Sequence, residues 1–135
     1  MRNPAETLAA IGAALDKLEA LEKAATKGPW VIVHGDNGYP VGIDAPNDAG
    51  VVGAVGSVVR KNGLGFPSGL EGQANASLIA ASRSFVPGAL VYMRAEHKAV
   101  SEMVSGLEER DAAIPRFIHD WIARLAAALG IEVQP

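Results

Sequence analysis

Most of the fifteen glycines of this chain fall between Gly28 and Gly69, and Pro29, Pro40, Pro46 and Pro67 stand among them. Glycine admits left-handed backbone, and proline brings no N–H and cannot continue a helix, so no long helix fits in that stretch. Either side of it, apolar residues recur at helical spacing. The order is therefore helix, strand region, helices. This predicts one α+β domain over residues 1–135, with helix 1 in 1–27, a β region in 30–67 and a helical region in 68–130.

The first helix is expected from Pro4 to Thr26. Asn3 suits the N-cap, Pro4 the first helical position, and Glu6 falls where a capping box places its acidic partner. Leu8, Ile11, Leu15, Leu18 and Leu21 form one apolar stripe, with Asp16, Lys17, Glu19, Glu22 and Lys23 off it. Gly28-Pro29 stops the helix. Trp30 follows as a core residue, expected to be largely buried where helix 1 meets the first strand.

Short β-branched runs then alternate with turn residues. Val31–Val33 is a first strand, Asp36-Asn37-Gly38 a hairpin turn, Tyr39–Asp44 a second strand and Val51–Val59 a third. Tight turns between short strands favour a small antiparallel sheet over a parallel one.

Three helices are expected after it. One begins beyond Ser68, with Glu71 completing a capping box, and carries Leu70, Ala74, Leu78, Ile79 and Phe85. A break is expected over Ser84–Pro87, because proline disfavours helical backbone at the residue before it. The next helix runs from Pro87 to Leu107, with Leu90, Met93, His97, Val100, Val104 and Leu107 as a seam at alternating three- and four-residue steps. Glu108-Glu109-Arg110-Asp111 and Pro115 interrupt the pattern. The last helix carries Phe117, Ile118, Trp121, Ile122, Leu125 and Leu129, capped by Gly130. These faces exceed what a small sheet covers, which predicts a homo-oligomer with one or other of the last two helices at its interface.

Composition narrows the function classes. Apolar residues make up 49% and charged residues 20%, which suits a folded globular chain. A formal charge of −3 and an aromatic share of 5% give no general drive toward nucleic acid and too few rings for base stacking. The absence of cysteine excludes disulfides, thiolate metal sites and cysteine nucleophiles, and fits a reducing cytoplasm. Met1–Pro4 leads into an amphipathic helix instead of an apolar signal core, and no charge-free apolar run reaches the ~18 residues of a membrane span. No membrane or nucleic-acid partner is expected.

Catalytic signatures are absent from the pattern. Gly50–Gly56 lacks the spacing of a phosphate loop, and no Gly-Lys-Ser/Thr follows it. His34, His97 and His119 form no pair at helical spacing, so neither a metal nor a cofactor is expected. Asp36, Asp44 and Asp48 sit in turn sequence, where Asp bonds its own backbone. Glu108 and Glu109 lie in a charge run that reads as a solvated linker. No nucleophile, base and orienting group can be assembled, and the chain is expected not to be an enzyme.

Polar residues embedded in helical sequence are better candidates. Asn75 falls mid-helix, where asparagine is poorly placed unless its amide has a use. Arg83 follows two turns on, Arg94 stands on the next helix, and Arg60 and Lys61 leave the strand region. Arginine suits bidentate contact with phosphate. The duller reading makes Asn75 a structural hydrogen-bonder and each cation a surface residue.

Two motifs carry a resemblance. Ala25-Thr26-Lys27-Gly28-Pro29-Trp30 closes the first helix, and Asn75-Ala76-Ser77-Leu78-Ile79-Ala80-Ala81-Ser82-Arg83 lies inside a later one, continued by Val86-Pro87-Gly88-Ala89-Leu90. This layout resembles small proteins of bacteriophages and actinobacterial prophages. More loosely, it is similar to the Thoeris anti-defence type one family. Those proteins sequester cyclic ADP-ribose isomers without catalysis, in oligomers built from a sheet and helices. The resemblance implies a cytoplasmic role in a bacterial host, with Asn75 and Arg94 holding a nucleotide-type ligand and Trp30 or Phe66 stacking on its base; Arg83 joins these candidate ligand residues through its spacing from Asn75. The long first helix and the last helix have no counterpart in that layout. The alternative is a protein–protein module acting on a host factor through its C-terminal helices.

Overall fold

The computed structural model describes residues 3–25, 27–34, 36, 40–45 and 70–133. Five elements follow in order: α1 (Pro4–Ala24), β1 (Val31–His34), β2 (Pro40–Asp44), α2 (Leu70–Glu108) and α3 (Arg116–Ala128). This is an α+β layout with a two-stranded antiparallel sheet. The chain divides into two compact units, one of Met1–Lys23 with Ala89–Pro135 and one of Ala24–Gly88.

In the first unit, α1 opens as its sequence predicts. The Asn3 side-chain oxygen accepts the Ala5 N–H at 3.0 Å, which satisfies one of the donors a helix start leaves unpaired. Leu8, Ile11 and Leu15 are buried, with Thr7 beside them. The stripe stops there, because Leu18 and Leu21 are exposed. From α2 come the buried Leu90, Val100 and Val104, and from α3 Ile118, Ile122, Leu125 and Ala126. The His97 ring lies on α1, its Nε2 2.8 Å from the Leu8 carbonyl oxygen. Gly12 leaves it room, since a Cβ there would stand 3.3 Å from the ring.

Both later helices end in the same device. At the end of α3 the Ile131 N–H donates to the Ala126 carbonyl at 2.9 Å and the Gly130 N–H to Ala127 at 3.0 Å. Gly130 adopts φ 68°. At the end of α2 the Ala112 N–H donates to Leu107 at 2.9 Å and the Asp111 N–H to Glu108 at 3.0 Å. Here the left-handed residue is Asp111, at φ 52°. These paired bonds are Schellman motifs, and they satisfy carbonyls that a helix end would leave open. The charge run 108–111 is exposed to solvent and also forms the stop of α2.

In the second unit, β1 and β2 pair Val31 with Asp44, Ile32 with Ile43 and Val33 with Gly42, and the register slips before His34 meets Pro40. Ile43 and Ala76 are fully buried, and Trp30, Ile32 and Ile79 pack against them. Trp30 is half-buried, less than its sequence context predicts. Its packing partners come from the strand pair and the first half of α2.

The helical region departs from expectation in number and in facing. Among the described residues two helices follow the sheet where three were expected, because α2 runs unbroken through Pro87. A proline costs one ladder bond and some strain, but restarting a helix costs a new nucleus, so a long helix can absorb one proline. The facing differs as well. Leu78 and Phe85, expected to point inward, are exposed, while Ala76 and Arg83 occupy the buried line. Of the expected seam, Leu90, Val100 and Val104 are buried. The segment Gln73–Glu108 is also long and apolar enough, by length and composition alone, to cross a membrane. The third strand, the Gly50–Gly56 stretch, the Ser68 cap, Phe66, Arg60 and Lys61 lie outside the described residues.

Candidate functional site

Two of the candidate ligand residues come together in the second unit. The Arg83 guanidinium carbon lies 5.9 Å from the centroid of the Trp30 ring, within cation–π range. Arg83 is only 8% exposed. Its stem also fills the space beside Gly28, where a Cβ would come within 2.9 Å of the Arg83 Cγ. The Gly-Pro-Trp motif thus serves a second purpose beyond stopping α1. It presents a glycine that makes room for the arginine and a ring on which the arginine lies. Asn75 is half-buried on the same helix, next to the buried Ala76.

Arg94 is held differently, in the first unit. Its Nε donates to Glu19 Oε1 at 2.9 Å and its Nη2 to Glu19 Oε2 at 3.0 Å, a two-pronged pair. The same Nη2 donates to Asp16 Oδ1 at 2.6 Å. The hydrogen bonds that Arg94 donates hold the Glu19 carboxyl below its ordinary range, and the same bonds to Glu19 push Arg94 upward. Two carboxylates balance its charge, so Arg94 acts as a clasp between α1 and α2.

Shallow grooves open among the described residues, and two of them are lined by no candidate residue. One, of ≈ 330 Å³, lies between α2 and α3 and is lined by Tyr92, Glu96, Trp121, Arg124 and Leu125. There the Trp121 indole N–H donates to Glu96 Oε2 at 2.6 Å. The other, of ≈ 480 Å³, runs along α3 beside Phe117, Asp120 and Arg124. Among the described residues no three His, Asp or Glu side chains gather where they could hold a metal ion.

Among the described residues, α2 carries several exposed apolar side chains. Leu78 is 72% exposed, Phe85 73%, Val91 73% and Tyr92 65%. In the second unit Leu78 and Phe85 stand seven residues apart along α2, with Ala74, Ala81 and Gly88 exposed beside them. In the first unit Val91 and Tyr92 are exposed neighbours on α2. Between Gln73 and Met93 the sole charged residue is Arg83, and it lies on the opposite, buried side. Monomeric proteins rarely leave such an apolar face to water. The sequence already carried this signal, as a three- and four-residue alternation through Ala74, Leu78, Ala81, Phe85, Gly88 and Tyr92. The expected break at Ser84–Pro87 concealed it by cutting the run in two.

Comparison with protein-family models, curated proteins and solved structures finds no match for this chain.

Proposed function

We propose that this chain is a non-enzymatic protein-interaction module whose working surface is the uncharged face of α2. The exposure of Leu78 and Phe85 on the part of α2 that belongs to the second unit, and of Val91 and Tyr92 on the part that belongs to the first, supports this reading. Burying such side chains against another polypeptide yields about 1.5–3 kcal/mol each. The test is site-specific photocrosslinking in cells, with p-benzoylphenylalanine replacing Phe85 and, as a control, Lys17 on the exposed side of α1. A polypeptide adduct at position 85 but not at 17 supports the reading. Absence of any polypeptide adduct at position 85 overturns it.

A second reading is a phage-type anti-defence sponge for a cyclic nucleotide or cyclic ADP-ribose-type signal. The Arg83–Trp30 pair favours it, because an arginine beside an aromatic face offers both a phosphate partner and a stacking surface. Calorimetry with cyclic ADP-ribose isomers and cyclic di- and trinucleotides tests it. Binding that disappears in Arg83→Ala supports the reading, and silence across the panel ends it.

A further inference from the structure

We propose that the groove between α2 and α3 binds a compact zwitterion, a quaternary ammonium joined to a phosphate, as in phosphocholine. The five residues that line it, Tyr92, Glu96, Trp121, Arg124 and Leu125, all belong to the first unit. The site draws on no residue of the second unit, so its test is independent of crosslinking at position 85.

Local spacing puts one ring and one charge on each helix. Tyr92 and Glu96 are four residues apart on α2 and share a face. Trp121, Arg124 and Leu125 follow at three- and four-residue steps on α3. Leu125 is buried and forms the floor, while Tyr92 and Arg124 are exposed at the rim. One hydrogen bond fixes the acidic end. The Trp121 indole N–H donates to Glu96 Oε2 at 2.6 Å, which holds the carboxylate beside the ring. Glu96 Oε1 accepts no hydrogen bond among the described residues. A cation drawn to that carboxylate lies in a groove walled by two rings, whose faces attract cations. A quaternary nitrogen suits this place better than a primary one, because it has no N–H to leave unsatisfied against apolar walls.

The basic end of the groove is unpaired. Among the described residues the Arg124 side chain makes no ion pair or hydrogen bond, although Glu96 lines the same groove and Asp120 stands one turn away on α3. Its donors are open to a phosphate, which a planar guanidinium meets with two parallel bonds. The two charges together select against simpler ligands. A plain cation is drawn by Glu96 and repelled by Arg124, and a plain anion meets the reverse. A zwitterion satisfies both. At ≈ 330 Å³ the groove lies at the small end for ligand pockets, so its ligand is compact.

Trp121 reports occupancy directly. The chain has two tryptophans, so a proton–nitrogen NMR spectrum shows two indole signals, and the one lost in Trp121→Phe belongs to the site. Titration with phosphocholine is expected to move that signal along a saturable curve. Choline alone and inorganic phosphate alone are each expected to bind at least about tenfold more weakly, the loss of one charged contact. Glu96→Gln keeps an oxygen for the indole but no charge, and Arg124→Gln alters an exposed residue. Both should keep the wild-type far-UV spectrum, and each should weaken phosphocholine by the same factor. Flotation identifies the source of the ligand. Phosphatidylcholine vesicles that carry the wild-type chain but not Glu96→Gln assign a lipid headgroup, and phosphocholine binding without that difference assigns the soluble molecule. A Trp121 signal unmoved at about 10 mM phosphocholine, past the millimolar end of specific affinity, overturns the proposal. So does choline or phosphate binding as tightly as phosphocholine, or unchanged affinity in Glu96→Gln or Arg124→Gln.

Discussion

Asp111 shows how much one backbone angle can decide. It sits at φ 52°, the left-handed position of the α2 stop, where any side chain crowds the backbone. Glycine takes this conformation without that crowding, as Gly130 does at the end of α3. Asp111→Gly is expected to stabilise the fold by about 0.5–1 kcal/mol in urea titration. Gly28 poses the reverse case. Gly28→Ala would drive a methyl into the Arg83 stem at 2.9 Å. The expected loss is about 1–3 kcal/mol, the usual cost of overpacking, together with a shift in the fluorescence of Trp30 as the guanidinium leaves its ring. Glu19 sets a pH dependence. Its folded carboxyl lies below the ordinary value of 4.5, chiefly through its hydrogen bonds with Arg94. That contribution is complete above the ordinary value and fades as pH falls through the lowered one. The stability gap between wild type and Glu19→Gln should therefore hold at neutral pH and close on acidification, measured by denaturant midpoint.

Among the elements, α2 carries the most consequence. It spans Leu70–Glu108 and, in the second unit, turns Ala76 and Arg83 toward protein and Leu78 and Phe85 toward solvent. Both pairs repeat at seven residues, which a straight helix follows with only a small drift. Pro87 is the flaw the element tolerates. It supplies no N–H to the ladder, so Pro87→Ala should restore a backbone bond and raise stability by about 1–3 kcal/mol, with a gain in helical ellipticity. A fall in stability would mean that the proline ring itself packs well. The strand pair is small by comparison. Two strands are marginal alone, and Trp30 and α2 supply the packing that Ile32 and Ile43 need.

At the scale of the whole molecule, the balance is between an acidic surface and an uncharged seam. The chain carries a formal charge of −3, which opposes self-association only weakly once salt screens it. The proposed association of α2 with another polypeptide would draw on apolar burial. Raising sodium chloride from roughly 0.05 to 0.5 M in a lysate should therefore leave crosslinking at position 85 unchanged or strengthen it. Loss of the adduct on adding salt would point to an ionic interface instead.

Local rules were legible in the residues themselves. The Asn3 cap, the antiparallel strand pair and the α3 stop at Gly130 depend on neighbours a few positions away, so spacing alone identified them. Facing and continuity were not legible. Whether Pro87 ends a helix depends on how much helix lies beyond it, and the local preference of Val86 says nothing about that. Which side of α2 turns inward depends on what covers it. Trp30 and the strand pair leave room for Ala76 and the Arg83 stem, so the smaller side is buried and Leu78 and Phe85 are left outside. Arg83 and Arg94 look alike as isolated cations in the sequence. Only tertiary structure gave one an aromatic ring and the other two carboxylates, because those partners lie far along the chain and meet them only on folding.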